Sequence, residues 1–303
     1  MKALLAVILT LSVAYAARDV LLAVPFNPWV SHNKVVYKIE PLYKTVTKVS
    51  DFPEVGGVQS SILNERDHTY TILGMSVQYK PIQIVFNSTT GKRLGQYQFP
   101  YTPNDPQNAR LDSYRRQALV VDVLARKIWN FDLKQTTFDE VVAWEVPDGE
   151  KTKPDPKVTL YASDSSAINS MISMFYTQMR NETTGVTYLV GINYREKTIE
   201  KMLPIEQATK GWFVDNNMNL WAFSTSGHLG KFDLNTGKWQ PEFEIGHLPW
   251  LESVTYSPKS NTVYIAYMSG AKYFVSGYDV ATGRETVVVP LPESVCYLRA
   301  DWQ

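Results

Sequence analysis

Two short segments, residues 111–116 and 247–252, combine charged and aromatic side chains directly ahead of apolar runs. An arginine beside a tyrosine or tryptophan can hold an anionic or a cationic aromatic ligand through paired hydrogen bonds and ring contacts. Alternatively, both segments are solvated loops whose tryptophan covers the core. On the first interpretation the ligand-binding residues are Asp112, Tyr114, Arg116, Trp250 and Glu252.

Oxygen-bearing side chains suggest a different chemistry. Glu54, Asp112, Asn169 and Glu252 each stand just before a run that we interpret as an innermost strand, among them the runs 118–124 and 171–178. Carboxylate and amide oxygens that converge in this way would hold a hard cation such as calcium. They are the basis of an alternative function, a calcium-dependent lactonase or esterase-like hydrolase with a metal site in a central channel. Otherwise we expect no cofactor.

Familiar catalytic patterns are missing from the sequence. It contains no G-x-S-x-G elbow, no H-E-x-x-H, no phosphate-cradling glycine loop and no C-x-x-C. The histidines, at positions 32, 68, 228 and 247, lack the spacing of metal ligands. We therefore expect a non-catalytic ligand-binding or protein-interaction protein, whose ligand the sequence does not identify.

The charge balance bears on the kind of partner. The chain has 30 basic and 30 acidic residues, which gives no long-range field to attract nucleic acid or an anionic membrane. A small molecule or an extracellular protein is the expected partner. The single cysteine, Cys296, cannot form an internal disulfide, so stability must come from an apolar core in which Cys296 is itself expected to be buried.

Residues 1–16 predict a secretory signal peptide. Lys2 precedes an apolar run over residues 3–13, and residues 14–16 form an A-x-A cleavage site. That run is too short for a membrane span, and no later run is long enough. Sequons at Asn87 and Asn181 predict N-linked glycans. The expected product is a secreted, extracellular glycoprotein of residues 17–303, without a membrane span.

The elements that must position these residues are strands. Apolar and β-branched residues recur in short runs bounded by Gly, Pro, Asn and Asp. Residues 253–290 read as three strands, a Thr-Gly turn and a fourth strand, and the same order returns over residues 60–100 and 211–245. This repeat predicts the four-stranded blades of a β-propeller.

The spacing of the turns predicts the number of blades. Thr-Gly turns end at Gly91, Gly185, Gly237 and Gly283, which fits two, one and one periods of about 47 residues. Residues 17–303 then form six blades. Two packed sandwiches or another repeat array are the alternatives. Between residues 138 and 204, the strands can be divided between the third and fourth blades in more than one way.

The two ends of the chain predict how the ring closes. Residues 294–298 resemble an innermost strand with no blade of its own, and residues 20–26, 35–39 and 45–49 resemble three outer strands that lack an inner one. Pairing them would place both termini in one blade and cover the exposed edges. The expected fold is an all-β, six-bladed β-propeller in one domain, with one blade closed by N- and C-terminal strands.

The runs 119–123 and 127–132, together with 81–86 and the Phe99-Pro100 pair after the following turn, resemble the secreted six-bladed propellers of the yellow and major royal jelly type. That resemblance implies extracellular binding of small molecules or proteins in the central channel, rather than a shared reaction.

Overall fold

The computed structural model describes residues 19–25, 34–98, 106–112, 117–122, 127–132, 137–143, 158–160, 166–181, 184–246 and 250–302. Within these ranges the regular elements are β-strands and one short 3-10 turn, Pro41–Tyr43. The strands form six antiparallel sheets, and the predicted six-bladed β-propeller is confirmed.

Each sheet is one blade. The strands are β1 (Asp19–Pro25), β2 (Val35–Glu40), β3 (Thr45–Asp51), β4 (Val55–Asn64), β5 (Thr69–Ser76), β6 (Pro81–Asn87), β7 (Arg93–Gln98), β8 (Pro106–Asp112), β9 (Gln117–Asp122), β10 (Lys127–Asp132), β11 (Thr137–Ala143), β12 (Val158–Leu160), β13 (Ser166–Asn169), β14 (Met174–Asn181), β15 (Thr187–Asn193), β16 (Thr198–Ile205), β17 (Thr209–Val214), β18 (Leu220–Ser224), β19 (His228–Phe232), β20 (Trp239–Glu244), β21 (Trp250–Ser257), β22 (Thr262–Ser269), β23 (Lys272–Asp279), β24 (Glu285–Leu291) and β25 (Val295–Trp302).

Blades 1 to 5 follow one another along the chain, and blade 6 joins its two ends. Blades 1, 2, 4 and 5 are β4 to β7, β8 to β11, β17 to β20 and β21 to β24, while blade 3 contains β12 to β16. Blade 6 has the order β25-β1-β2-β3. The innermost strands β4, β8, β13, β17, β21 and β25 contact one another in sequence and close a ring around the axis.

Strand exchange between the chain ends closes the ring, as the sequence predicts. Strand β1 pairs antiparallel with β25, with Leu21 opposite Ala300. All seven residues of β1 are buried, which explains its near-continuous apolar sequence. On its other edge β25 lies beside β21, where Ser253 Oγ accepts a hydrogen bond from Leu298 N at 2.9 Å and Thr255 Oγ1 accepts one from Ala300 N at 3.1 Å. These two strands therefore run parallel.

The core lies between the faces of neighbouring blades. One apolar cluster joins Leu22 and Val36 of blade 6 to Tyr70 and Ile84 of blade 1. Similar clusters join blades 3 and 4, blades 4 and 5, and blades 5 and 6. Burying one such side chain contributes about 1.5–3 kcal/mol. Cys296 is buried in the first of these clusters, as expected.

The Thr-Gly turns at Gly91, Gly237 and Gly283 each lie against the preceding blade. In blade 5, Asp279 Oδ1 accepts hydrogen bonds from both N and Oγ1 of Thr282 at 2.8 Å, and Gly283 has a φ of 69°. A Cβ at Gly283 would lie 2.4 Å from the ring of Phe243 in blade 4. Only glycine suits both the backbone angle and this close approach.

One of the four Thr-Gly turns lies at a different position in its blade from the other three. The turns at Gly91, Gly237 and Gly283 join the third and fourth strands of their blades, but Gly185 joins β14 to β15, which occupy the second and third strand positions of blade 3. The number of blades is still six, because the equivalent turn of blade 3 lies between Asn193 and Thr198.

Two inner strands also differ from the expectation. The run 118–124, interpreted as innermost, falls largely in β9, and the inner strand of blade 2 is the more polar β8. In blade 3 the run 171–178 contributes to the second strand, β14, whose inner edge is shared by the short strands β12 and β13. Apolar content misidentified both strands, because the second strand of a blade is covered on both faces as well.

Candidate ligand cavity on the propeller axis

The carboxyl-terminal ends of all six inner strands surround one cavity. We call the side of the propeller where these strands end the outlet face. The cavity has a volume of about 240 Å³. Each inner strand contributes at least one residue from its last half: Leu63, Leu111, Ile168, Val214, Tyr256 and Ala300. A second cleft, of about 330 Å³, involves blades 3 and 4 only.

Two arginines give the cavity a cationic lining. Arg299 is only 8% exposed; its Nε and Nη2 donate to the Ser61 carbonyl and its Nη1 donates to the Leu298 carbonyl. Arg110 Nε donates to the Ser166 carbonyl of the next blade at 3.0 Å. Main-chain partners therefore hold both guanidinium groups in place at the channel wall.

One carboxyl group, Glu65, also lines the cavity, directly after β4. Burial and, to a lesser extent, the nearby carboxylates of Asp301 and Asp19 together raise the pKa of Glu65 to about 8. Glu65 is therefore largely protonated at neutral pH, when it can donate a hydrogen bond from its carboxyl group.

Aromatic rings form the wall contributed by blades 4 and 5. Phe213 stacks on Tyr256 with ring centroids 5.1 Å apart and on Trp221 at 6.2 Å. The Tyr256 hydroxyl donates to Asn261 Oδ1 at 2.8 Å, and Trp212 Nε1 donates to Thr209 Oγ1 at 3.0 Å. Trp212 and Phe213 are only 2% and 5% exposed, because their rings belong to the apolar clusters between blades 3 and 4 and between blades 4 and 5. They therefore make this side of the cavity rigid.

Behind the cavity, buried aspartates stand at the ends of strands and bind hydroxyl or ring N–H groups. Asp112 accepts a hydrogen bond from the Tyr194 hydroxyl of blade 3 at 2.7 Å. Asp19 accepts one from the Tyr264 hydroxyl of blade 5 at 2.7 Å, and Asp215 accepts one from Trp221 Nε1 at 2.7 Å. The first two link neighbouring blades.

The structure separates two of the five predicted ligand-binding residues. Asp112 is the last residue of β8, next to cavity-lining Leu111, whereas Glu252 lies near the start of β21, towards the opposite face. Burial raises the pKa of Glu252. Tyr114 and Arg116 fall outside the described residues, and of Trp250 only the backbone is described. Their role in binding stays a prediction.

The four oxygen-bearing residues considered as calcium ligands are also divided. Glu54 directly precedes inner strand β4 and Glu252 lies near the start of β21, but Asp112 and Asn169 end their inner strands. The expectation that all four precede inner strands is therefore wrong. Within the ranges that the structure describes, no group of three or more His, Cys, Asp or Glu side chains is arranged to hold a metal ion.

Both sequon asparagines are part of tight turns. Asn87 ends β6 and is half-buried, and its Oδ1 accepts a hydrogen bond from Thr90 N at 2.7 Å. Asn181 ends β14 and is only 4% exposed, and its Oδ1 accepts one from Thr184 N at 3.1 Å. In both turns the bond uses the carbonyl oxygen of the side chain, not the amide nitrogen to which a glycan is attached.

Sequence reasoning missed the cavity residues Arg110, Arg299 and Glu65. A signal was present: Arg110-Leu111-Asp112 and Arg299-Ala300-Asp301 repeat an R-x-D pattern at the ends of two inner strands. In both, the arginine lines the cavity and the aspartate is buried behind it.

Comparison with known proteins supports the fold alone. No family model matches the chain, and no curated protein matches it. A chain in a crystal structure of a nidogen/laminin complex is similar with a TM-score of 0.63 at 11% identity, covering 93% of this chain and 98% of that one. TolB from Acinetobacter baumannii is similar with a TM-score of 0.62 at 11% identity, covering 93% of this chain and 66% of TolB. No helix in the described ranges is long and apolar enough to cross a membrane.

Proposed function

We propose that this protein is a secreted, non-catalytic binding propeller that holds a small ligand in the axial cavity. The observation that carries the proposal is the lining of the cavity, to which Arg110 and Arg299 contribute together with the aromatic residues Trp212, Phe213 and Tyr256. A concave site with rigid apolar walls and a few fixed polar groups is typical of ligand binding. The signal segment and the resemblance to yellow and major royal jelly propellers support an extracellular location.

A protein partner is the second candidate. The nidogen/laminin complex is an assembly of proteins, so the propeller fold is compatible with protein interaction. In addition, Met171 and Ile172 are 67% and 49% exposed in the turn after β13, and Met218 is 44% exposed in the turn after β17. Both turns lie on the outlet face, so a partner that docks there would cover exposed apolar side chains.

The calcium-dependent hydrolase remains a competing proposal. It requires several carboxylate or amide oxygens around one cation. Tyr114, Arg116 and their neighbours lie outside the described residues, so the structure does not decide between the hydrolase and the binding protein. A direct measurement of bound calcium does.

Native mass spectrometry of the protein secreted by eukaryotic cells tests the three candidates together. A retained organic molecule supports the binding proposal. Retained calcium, with calcium-dependent hydrolysis of a lactone or ester, would replace it with the hydrolase. Protein that carries neither, and that binds no small molecule in a subsequent screen, contradicts both and leaves the protein partner.

Substitutions then locate the site. Arg116→Ala and Trp250→Ala test the sequence prediction, and Arg110→Met tests the observed cavity. Arg195→Met is the matched control, because Arg195 is 72% exposed on an outer turn of blade 3. Loss of the retained ligand at an unchanged melting temperature assigns a residue to the site. Loss of stability alone assigns it to the core.

A further inference from the structure

The cleft between blades 3 and 4 lies on the face of the propeller opposite the outlet face. Its volume is about 330 Å³. Ile205 ends β16, Thr209 begins β17, Gly185 lies in the turn between β14 and β15, and all three line the cleft. Because β17 starts here and its last residue, Val214, lines the axial cavity, the two cavities lie at opposite ends of this strand. The cleft is therefore a second site, distinct from the one in the proposed function.

Three buried side chains, Gln178, Ile205 and Thr209, form the floor of the cleft. Thr209 Oγ1 accepts a hydrogen bond from Trp212 Nε1 at 3.0 Å. This bond fixes the position of the threonine and leaves its own hydroxyl hydrogen to donate to a ligand. The floor thus combines a positioned hydroxyl group with the side-chain amide of Gln178.

Gln178 is a polar residue at the end of an apolar row. Met174 and Tyr176, which precede it on the same side of β14, pack with Trp212 in the cluster between blades 3 and 4. Gln178 is only 3% exposed, and its Oε1 accepts no hydrogen bond from any described residue. A terminal amide turns readily about its last side-chain bond, so a donor in the cleft can bind this oxygen.

A buried amide oxygen without a donor costs stability, and native proteins contain few of them. Such exceptions to good packing are expected at functional sites. Among the buried side-chain atoms that lack a partner in the described part of the chain, Gln178 Oε1 is the one whose residue lines either cavity. Its position therefore favours a ligand that supplies the missing donor.

We propose that this cleft binds a sugar unit, a neutral ring that carries several hydroxyl groups. A hydroxyl group both donates and accepts, and so do five lining side chains: Gln178, Thr187, Gln207, Thr209 and Thr225. A volume of about 330 Å³ holds on the order of ten water-sized groups, which is close to the number of non-hydrogen atoms in a hexose.

Other classes of ligand fit this lining less well. Its apolar side chains are Ile205 and Ala208, and its described residues include no aromatic ring, so a large apolar molecule would leave polar groups unpaired. The charged lining residues have both signs, with Arg180 and Lys210 basic and Glu206 acidic. An anion or a cation would therefore meet a like charge, whereas a neutral hydroxyl group would not.

The ligand has two possible sources, a free sugar and the protein's own glycan. The predicted glycan at Asn181 would be attached at the end of β14, the strand that contains Gln178. Asn181→Asp removes the attachment site and keeps the acceptor for Thr184 N, as Asp279 does for Thr282 N in blade 5. Sugars that bind only to this variant would identify the glycan as the natural occupant, and equal binding to both proteins would identify a free sugar.

Titration calorimetry of the secreted protein and of Asn181→Asp tests the class of ligand. The probes are D-glucose, N-acetylglucosamine and myo-inositol, and the comparison compounds are cyclohexanol and glycine. At least one probe should bind with a Kd below about 10 mM, and cyclohexanol, a similar ring with a single hydroxyl group, should bind roughly tenfold or more weakly. Failure of all three probes with both proteins overturns the proposal, as does equally tight binding of cyclohexanol or glycine.

Two variants locate the binding site. Gln178→Met should weaken binding of the best probe roughly tenfold without lowering the melting temperature, because it replaces an unpaired amide by an apolar group of similar shape. Gln83→Met is the matched control, since Gln83 is also buried with an unpaired Oε1 but lines neither cavity, and it should leave binding unchanged. Equal losses in these two variants contradict the site.

Ala208→Trp tests the cleft without changing its floor. Ala208 is an exposed lining residue, so a tryptophan there should fill the cleft and abolish binding at an unchanged melting temperature. Binding that survives this substitution overturns the proposal.

Discussion

Asp301, in the last strand, accepts a hydrogen bond from the hydroxyl of Ser88, which follows β6 in blade 1. Both residues are completely buried and 213 positions apart in the chain. The same oxygen, Asp301 Oδ2, lies 3.2 Å from Nδ1 of His68. Blades 6 and 1 meet here, so these bonds attach the C-terminal strand to blade 1 across the interface between the two blades, which we call the seam.

Removing the hydroxyl at this seam should destabilise the fold. We expect Ser88→Ala to lower the free energy of unfolding by about 1–3 kcal/mol, because a buried carboxylate loses a donor. Urea denaturation measures the change. Thr45→Ala is the control, since the Thr45 hydroxyl donates to Glu40 at the exposed surface and its loss should cost less than about 0.5 kcal/mol. Equal changes in the two variants would show that the seam bond contributes nothing.

Deleting residues 294–303 should prevent folding. This segment contains β25, whose loss opens the ring and exposes an edge of β1. We expect no folded protein in the medium of expressing cells, while a control that lacks only Gln303 should be secreted normally. A truncated protein with an unchanged melting temperature would contradict closure by strand exchange.

Substitutions at two glycines of blade 5 distinguish the energetic cost of backbone strain from the cost of close packing. Gly270 and Gly283 have φ angles of 61° and 69°, but an added Cβ meets nothing within 4 Å at Gly270 and lies 2.4 Å from Phe243 at Gly283. Gly270→Ala should therefore cost about 1–2 kcal/mol from the left-handed backbone alone. We expect Gly283→Ala to cost about 1–3 kcal/mol more, because Phe243 must move. Thermal and urea unfolding of both variants check the order.

Glu65 should make stability depend on pH. Its pKa is raised to about 8 in the folded state, from 4.5 for an unperturbed glutamate. Between these values the folded state holds a proton that the unfolded state has released, so stability falls as the pH rises from about 4.5 to 8. Glu65→Gln should flatten this part of the profile. Denaturation at several pH values measures the difference between the two proteins, and parallel profiles would refute the assignment.

Glycans are expected at both Asn87 and Asn181 when the protein passes through a eukaryotic secretory route. Because Asn181 is only 4% exposed, we expect lower occupancy there than at half-buried Asn87. Intact masses before and after enzymatic deglycosylation, for the natural protein and for Asn87→Gln and Asn181→Gln, measure each site. A secreted protein whose mass does not change on deglycosylation would rule out both.

The sequence by itself determined the architecture. Strand length, turn residues and the repeat are local properties, and they predicted six blades even with Gly185 assigned to the wrong turn. Closure by the terminal strands also followed from local pattern, because residues 294–298 had no blade of their own and the three strands predicted over residues 20–49 lacked an inner one. Strands paired by neighbouring turns need little long-range information.

The position of the cavity was decided by tertiary structure. Arg110 and Arg299 lie 189 positions apart, and nothing in their local sequence indicates that β8 and β25 both end beside the axis. The assignment of Asp112 depended on which strand of blade 2 is innermost. Apolar content favoured β9 over β8, because packing between blades buries the second strand as it does the inner one. The inner strand β8 is more polar, and its Arg110 lines the axial cavity.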